Sequence, residues 1–133
     1  MTAEAIIRAY YAAFNAGDHA AFLALLAEDV EHDINQGERQ AGRAAFAEFM
    51  RGMDECYHER AEELVVLTEP TGQRAAAEFV IHGTYLQTAP GLPEARGQAY
   101  RLPVCATFAL RHGKVARVSN FYNLRDWLAQ VSA

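Results

Sequence analysis

Residues 10–33 read YYAAFNAGDHAAFLALLAEDVEHD, and this stretch decides the fold that the sequence predicts. It continues an amphipathic pattern that begins upstream and predicts a helix over residues 3–16, which Gly17 ends. Asp18 is a favourable N-cap for a second helix. The apolar face of that second helix would carry Phe22, Leu25 and Leu26. Residues 29–35 then become strand-like, so the stretch predicts two helices joined by NAGD and followed by a first strand.

The rest of the chain changes from helical to strand periodicity near residue 58. A polar loop over residues 36–42 leads to a third helix from about Arg43 to Cys56. Four strands follow, and a short helix is predicted over residues 124–131. The strands span residues 59–69, 74–87, 98–111 and 114–123. Helices followed by a meander of strands are typical of an α+β domain, with the helices on one face of a curved antiparallel sheet.

The composition is that of an ordinary globular chain, and we expect a single domain over residues 1–133. Hydrophobic residues make up 51% and charged residues 22%, with a formal net charge of -5. An acidic chain without a run of Lys and Arg argues against a nucleic-acid partner. Cys56 and Cys105 lack the spacing of a zinc or redox motif. No signal peptide or membrane span is recognisable, so we expect a cytoplasmic protein with no membrane partner.

Alternation along the predicted strands indicates which side chains face the helices. The inward sides carry Ala77, Phe79, Ile81 and Tyr85, then Leu102, Val104, Ala106, Phe108 and Leu110, then Val118, Asn120 and Tyr122. Glu78 and His82 lie on the opposite side, which we expect to face a dimer interface. A bulge at Gly83 or Pro103 would invert this assignment, and the side chains of Glu78 and His82 would then face the cavity.

With these elements in place, the chain resembles the nuclear transport factor 2-like superfamily, in its branch of ketosteroid isomerases and SnoaL-like polyketide cyclases. The resemblance is carried by the stretch quoted above, by G-R-A-A-F at residues 42–46 and by the R-H-G-K-V hairpin at residues 111–115. It implies a cone-shaped, cystatin-like fold in which three N-terminal helices pack on a strongly curved antiparallel sheet. It also implies a cavity that binds a small hydrophobic molecule.

The resemblance implies roles for individual residues of that cavity. Tyr10 matches the family tyrosine that stabilises an oxyanion, and Asp33 matches the aspartate that moves the proton. In ketosteroid isomerases a protonated carboxylic acid is the second oxyanion donor, and its position falls here at Ala106, or at Cys105 if the match is shifted by one residue. Asn120 and Tyr122 are the candidate replacements, because a buried polar side chain requires a hydrogen-bond partner or a polar ligand.

Each catalytic assignment has a structural alternative. Asp33 could make a turn hydrogen bond to the backbone, and Tyr10 could be a core tyrosine. Adjacent strand residues point to opposite faces, so an inward Asp33 would leave His32 facing outward. The substrate pocket is expected to be lined by Phe14, Phe49, Met53, Phe79, Ile81, Tyr85, Ala106, Phe108 and Val118.

The resemblance thus implies an isomerase- or cyclase-type enzyme that uses no cofactor and acts on a small hydrophobic carbonyl compound, and we expect no metal. We expect a homodimer formed through the outer face of the sheet. Two alternatives stay open. The first is a non-catalytic small-molecule-binding or dimerisation module of the same fold, which the missing acid at Ala106 favours. The second is an epoxide-hydrolase-like enzyme, for which Arg101 and Glu78 are the candidate strand residues.

Overall fold

The computed structural model of the chain describes residues 1–34 and 37–133. Its helices are α1 (Ala3–Ala16), α2 (His19–Ala24), α3 (Arg43–Cys56) and α4 (Leu124–Ser132). Its strands are β1 (Leu26–Asp33), β2 (Arg39–Ala41), β3 (Tyr57–Thr68), β4 (Arg74–Tyr85), β5 (Ala99–Arg111) and β6 (Lys114–Tyr122). The short strand β2 was not predicted and lies in the expected polar loop. Residues 35 and 36, where the predicted first strand ends and that loop begins, lie outside the described residues.

The turn between α1 and α2 is formed by Gly17 and Asp18, as the sequence predicts. Gly17 adopts the left-handed region with φ 67°, where a residue without Cβ avoids strain. The Asp18 side chain then accepts a hydrogen bond from the backbone N–H of Ala21 at 3.0 Å and starts α2. Helix α2 ends at Ala24, so Leu26 begins β1 instead of lying on the helix as predicted. None of the described helices is long and apolar enough to cross a membrane.

The six strands form one curved sheet in the order β2-β1-β6-β5-β4-β3. Strands β3 to β6 are antiparallel neighbours, as the predicted meander requires. Strand β1 runs parallel to β6, with His32 opposite Val118, so the sheet is mixed rather than purely antiparallel. Periodicity indicates that a strand exists and which way its side chains alternate, but not its partner. The predicted α+β fold with a curved sheet and a short C-terminal helix is confirmed.

The faces of β4 and β5 are those that alternation predicts. The two strands pair without a register shift from Arg74 to Thr84, so neither Gly83 nor Pro103 carries a bulge. Glu78 and His82 are therefore exposed on the outer face of the sheet. Register shifts do interrupt β1, β3 and β6, and the one in β1 lies between Leu26 and Glu31.

The inner face of the sheet packs against α1 and α2 through aromatic side chains. The ring centroid of Tyr10 lies 4.4 Å from that of Phe22 and 5.3 Å from that of Phe108. Ile7 and Phe108 are fully buried. Burying one side chain of this size contributes about 2–3 kcal/mol of hydrophobic free energy. This cluster fixes α1 over the sheet and places the inner face of α1 against a cavity.

Candidate functional site

A cavity of about 460 Å³ lies between the inner face of the sheet and the helices. Its lining comes from α1, α2, α3, α4 and the strands β1, β3, β4, β5 and β6. The apolar lining includes Phe14, Phe46, Phe49, Met50, Met53, Phe79, Ile81, Leu102, Val104 and Trp127. Five residues expected to line the substrate pocket line this cavity, namely Phe14, Phe49, Met53, Phe79 and Ile81. Aromatic and thioether side chains of this kind suit a flat, largely apolar ligand.

Four other residues expected in the pocket lie in the packed core instead, namely Tyr85, Ala106, Phe108 and Val118, all with 0% exposure. Phe108 is covered by the rings of Tyr10 and Tyr11. Tyr85 stacks on Tyr57, and its hydroxyl donates to the carbonyl of Pro93 at 2.7 Å. Alternation identified the correct face for them, but they are not among the residues that line the cavity.

The orientation predicted for Asp33 and His32 is wrong. His32 lines the cavity with 3% exposure, and its ring stacks on Phe46 at 4.3 Å between centroids. Asp33 lies on the other face of β1. There it accepts hydrogen bonds from Arg39 Nε at 2.6 Å and from Ser119 Oγ at 2.7 Å. The rule that neighbours alternate holds here, and His32 shares the inner face of β1 with fully buried Val30, so the inward position that the resemblance implied for Asp33 belongs to His32.

The two environments move both pKa values downward for different reasons. Desolvation by burial lowers the pKa of His32 to about 4, and the nearby charge of Asp33 opposes this only in part. Hydrogen bonds from Arg39 and then from Ser119 lower the pKa of Asp33 to about 2. At neutral pH the cavity therefore holds an uncharged imidazole, while the carboxylate outside it is ionised. The Nδ1 atom of His32 is buried and has no hydrogen-bond partner among the described residues.

Two tyrosines of α1 line the cavity. Tyr10 was predicted, and Tyr11 was not, although both line the cavity and both are 5% exposed. Burial raises the pKa of both phenols, so both stay protonated and can donate hydrogen bonds. The hydroxyl of Tyr11 is buried without a partner among the described residues. The adjacent YY pair on an inward helical face was the available signal.

Strand β6 places two further predicted residues on the cavity. Asn120 and Tyr122 both line it, separated by the two-residue period of the strand. Asn120 lies opposite Ala106 of β5 in the register, so an amide stands beside the position where the resemblance implied an acid. Burial raises the pKa of Tyr122 and keeps it protonated.

Glu59 of β3 is a cavity residue that the sequence did not reveal. Its carboxyl Oε2 accepts a hydrogen bond from the hydroxyl of Tyr100 at 2.5 Å. Burial raises the pKa of Glu59, and the hydrogen bond from Tyr100 opposes this in part. A glutamate in the charged run ERAEE is most simply explained as solvated, and only its alternation with buried Ala61 could have indicated an inward position.

The two residues considered for epoxide hydrolysis do not reach the cavity. Arg101 is exposed and donates from Nη2 to Glu63 at 3.1 Å, and Glu78 is exposed on the outer face of β4. They do not form the inward carboxylate–arginine pair that such chemistry requires.

Comparison with known proteins agrees with this architecture. The sequence model described as "SnoaL-like domain" matches residues 7–118. A candidate polyketide cyclase of known structure from Pseudomonas putida is 60% identical, with a TM-score of 0.97 over 98% of both chains. One from Xanthomonas campestris is 52% identical, with a TM-score of 0.95 over 97% of this chain and 96% of that one.

A third candidate polyketide cyclase, from Silicibacter, is 47% identical. It has a TM-score of 0.97 over 99% of this chain and 96% of its own. No curated protein shows a significant match to the chain.

Proposed function

Because the chain belongs to the family of SnoaL-like domains, we propose that it is a small enzyme that moves a proton within a compact hydrophobic carbonyl compound. His32 is the residue that takes up and returns this proton. The observation that carries the proposal is the placement of His32 in the cavity wall. It is 3% exposed, and one ring nitrogen has no hydrogen-bond partner among the described residues.

The proton transfer follows from the state of the imidazole. Neutral His32 removes a proton from the carbon beside a carbonyl group, and the C–H electron pair moves to form an enolate. The imidazolium then returns the proton to the product. A lowered pKa makes the imidazole a weak base and its conjugate acid a strong one. This favours substrates with an acidic C–H, as between two carbonyl groups.

The developing negative charge on the enolate oxygen needs hydrogen-bond donors. Tyr10, Tyr11 and Asn120 line the same cavity, and the phenols stay protonated at neutral pH. Donors that are already oriented in a site shielded from water stabilise such a charge without reorganisation. A 1,3-dicarbonyl segment whose enolate carbon attacks a second carbonyl would give ring closure. This chemistry agrees with the names of the relatives from Pseudomonas and Xanthomonas.

The proposal is tested by hydrogen–deuterium exchange into 2-tetralone, a flat ketone with an acidic C–H between its ring and its carbonyl, followed by NMR at neutral pD. The wild-type protein is expected to accelerate exchange, and His32→Gln to lower that acceleration by about 100-fold. Asp33→Asn, which changes the neighbour outside the cavity, should retain it. Equal rates for His32→Gln and wild type, or no acceleration by wild type over buffer, would reject the proposal.

Binding without chemistry is a second candidate function, and one observation favours it. The position of the family's second oxyanion acid is occupied by Ala106, which is fully buried and carries no polar group. A protein of this kind would bind 2-tetralone without accelerating its exchange, and titration calorimetry beside the NMR experiment distinguishes the two.

We also propose that two copies associate through the outer face of the sheet, which carries exposed apolar side chains. Phe121 is 52%, Val65 48% and Leu67 54% exposed. Exposed apolar groups clustered on one sheet face are typical of an interface. Light scattering is expected to give twice the monomer mass of 14.7 kDa for wild type and the monomer mass for Phe121→Glu. A monomeric wild type would reject this assembly.

The cytoplasmic location stays a prediction.

A further inference from the structure

We infer that Glu59 is a specificity-determining residue, which accepts a hydrogen bond from a hydroxyl group of the bound compound while Tyr100 holds its carboxyl in place. The inference rests on the proposed function, because it requires a small molecule in the cavity. It adds a second point of recognition, on the side of the cavity away from His32.

The arrangement is built from three strands in one row of the sheet. Glu59 of β3 is paired with Gly83 of β4, and Gly83 is paired with Tyr100 of β5. The phenol of Tyr100 therefore crosses the backbone of β4 to donate to Glu59. A Cβ atom at position 83 would lie 2.3 Å from Cζ and 2.5 Å from Oη of Tyr100. The glycine is needed for space, since only a residue without a side chain lets the phenol pass.

The carboxyl group of Glu59 keeps acceptor capacity for a ligand. Its two oxygens offer about four lone-pair sites, and Tyr100 occupies one of them. Within residues 1–34 and 37–133, no Lys, Arg or His forms an ion pair with Glu59. A partly buried carboxyl group without a cation is stabilised by any further donor that reaches it.

The surroundings of Glu59 favour a donor attached to a flat ring. Burial raises the pKa of Tyr57 and of Tyr122, so both phenols are protonated at neutral pH and can donate hydrogen bonds. Trp127 packs edge-on against Tyr100, with centroids 5.9 Å apart. Tyr57, Tyr122 and Trp127 also line the cavity. A ring placed among these side chains can direct its hydroxyl group to Glu59.

The positions of Glu59 and His32 give the ligand two polar ends. His32 is on β1 and Glu59 on β3, with β6, β5 and β4 between them. Strands about 4.8 Å apart put them about 19 Å from each other along the sheet, and the direct path across the curved sheet is shorter. The compound thus has a carbonyl group toward His32, an apolar ring system between, and a hydroxyl group toward Glu59.

Two matched probes test this inference, namely 2-acetylnaphthalene and 2-acetyl-6-hydroxynaphthalene, whose dissociation constants are measured by fluorescence titration. Wild type is expected to bind the hydroxylated probe about tenfold more tightly, which is the effect of one hydrogen bond to a charged or buried acceptor. Glu59→Met keeps the length of the side chain without its oxygens and should abolish the preference. Tyr100→Phe frees the carboxyl from its position and should reduce the preference.

Glu62→Gln is the matched control, because Glu62 is an exposed glutamate of the same strand and lies outside the cavity lining. It should keep the tenfold preference. Circular dichroism establishes whether each variant is folded. If Glu59→Met does not fold, the loss of preference in Tyr100→Phe is the test of the inference. Binding of both probes with the same preference in wild type and the variants would overturn this inference alone. Binding of neither probe by wild type would overturn the proposed function with it.

Discussion

His32 and Asp33 are adjacent in the chain, and their side chains lie on opposite faces of β1, one in the cavity wall and the other in an ion pair outside it. The imidazole is neutral and the carboxylate charged at pH 7, because burial and hydrogen bonding act on them separately. The same two-residue alternation that separates them also lets Asp33 hold β1 to β2 through Arg39 and to β6 through Ser119. The outer residue positions the strand from which the inner residue projects.

The first prediction concerns the dependence of stability on pH. The pKa of His32 is about 4 in the folded protein and about 6.5 when unfolded, so the unfolded state binds more protons between these values. Stability should therefore fall as the pH drops from 6.5 to 4, by about 3 kcal/mol from this residue. Urea unfolding at pH 7, 5.5 and 4.5 measures it. His32→Phe, which keeps the stacking on Phe46, should lack this part of the acid-dependent loss, and equal slopes would contradict the assignment.

The second prediction concerns Asp33→Asn, which weakens the attachment of β1 to Arg39. The ion pair is partly exposed, so the free energy of unfolding should fall by only about 1 kcal/mol at pH 7. Because the pKa of Asp33 is lowered to about 2, this contribution is present above its ordinary value of 3.8 and is lost as the pH falls toward 2. Wild type and variant should thus converge in stability below pH 2. A constant difference across the acid range would argue against the ion pair as its source.

The third prediction compares two glycines. Gly83→Ala places a Cβ atom against the ring of Tyr100, so the free energy of unfolding should fall by about 1–3 kcal/mol. Gly52 lies in α3, and a Cβ atom added there would have no neighbour within 4 Å, so Gly52→Ala should raise the free energy of unfolding by about 0.5–1 kcal/mol. Thermal unfolding measures both. Equal effects of the two substitutions would show that the close approach of Tyr100 to β4 is absent.

The fourth prediction concerns Asn15, which joins α1 to β3. Its amide nitrogen donates to the carbonyl of Ala61 at 2.9 Å, and its oxygen accepts from the N–H of Ala61 at 2.8 Å. Asn15→Ala leaves both backbone groups without this partner, and stability should fall by about 2–3 kcal/mol. Asn15→Asp retains the acceptor and should lose less. A larger loss for Asn15→Asp in chemical denaturation would be inconsistent with this pair of bonds.

The fifth prediction concerns the hydroxyl of Tyr11, which is buried without a partner among the described residues. Tyr11→Phe removes an unsatisfied polar group, so the ligand-free protein should be as stable as wild type or up to about 1 kcal/mol more stable. If the hydroxyl donates to a bound carbonyl, the same variant should bind 2-acetylnaphthalene more weakly. A variant that is both less stable and unchanged in binding would show that the hydroxyl serves the fold.

The sequence predicted the elements well because their signals are local. Gly17 and Asp18 mark a joint whose geometry depends only on their own backbone and side chains. The sequence reasoning misplaced His32 and missed Glu59 as residues of the cavity wall. The inward position on β1 was assigned to Asp33 from the family resemblance, whereas alternation with buried Val30 places His32 there. The burial of Glu59 depends on Gly83 and Tyr100, both distant in the chain.

The parallel pairing of β1 with β6 has a consequence for the order in which the protein is made. Asp33 and Ser119, which close this pairing, are 86 residues apart. The wall that holds His32 therefore stays incomplete on the ribosome until almost the whole chain has emerged. Long-range contacts of this kind slow folding and prolong the exposure of apolar surface. Until then, the aromatic residues of the cavity wall lack part of the sheet against which they pack.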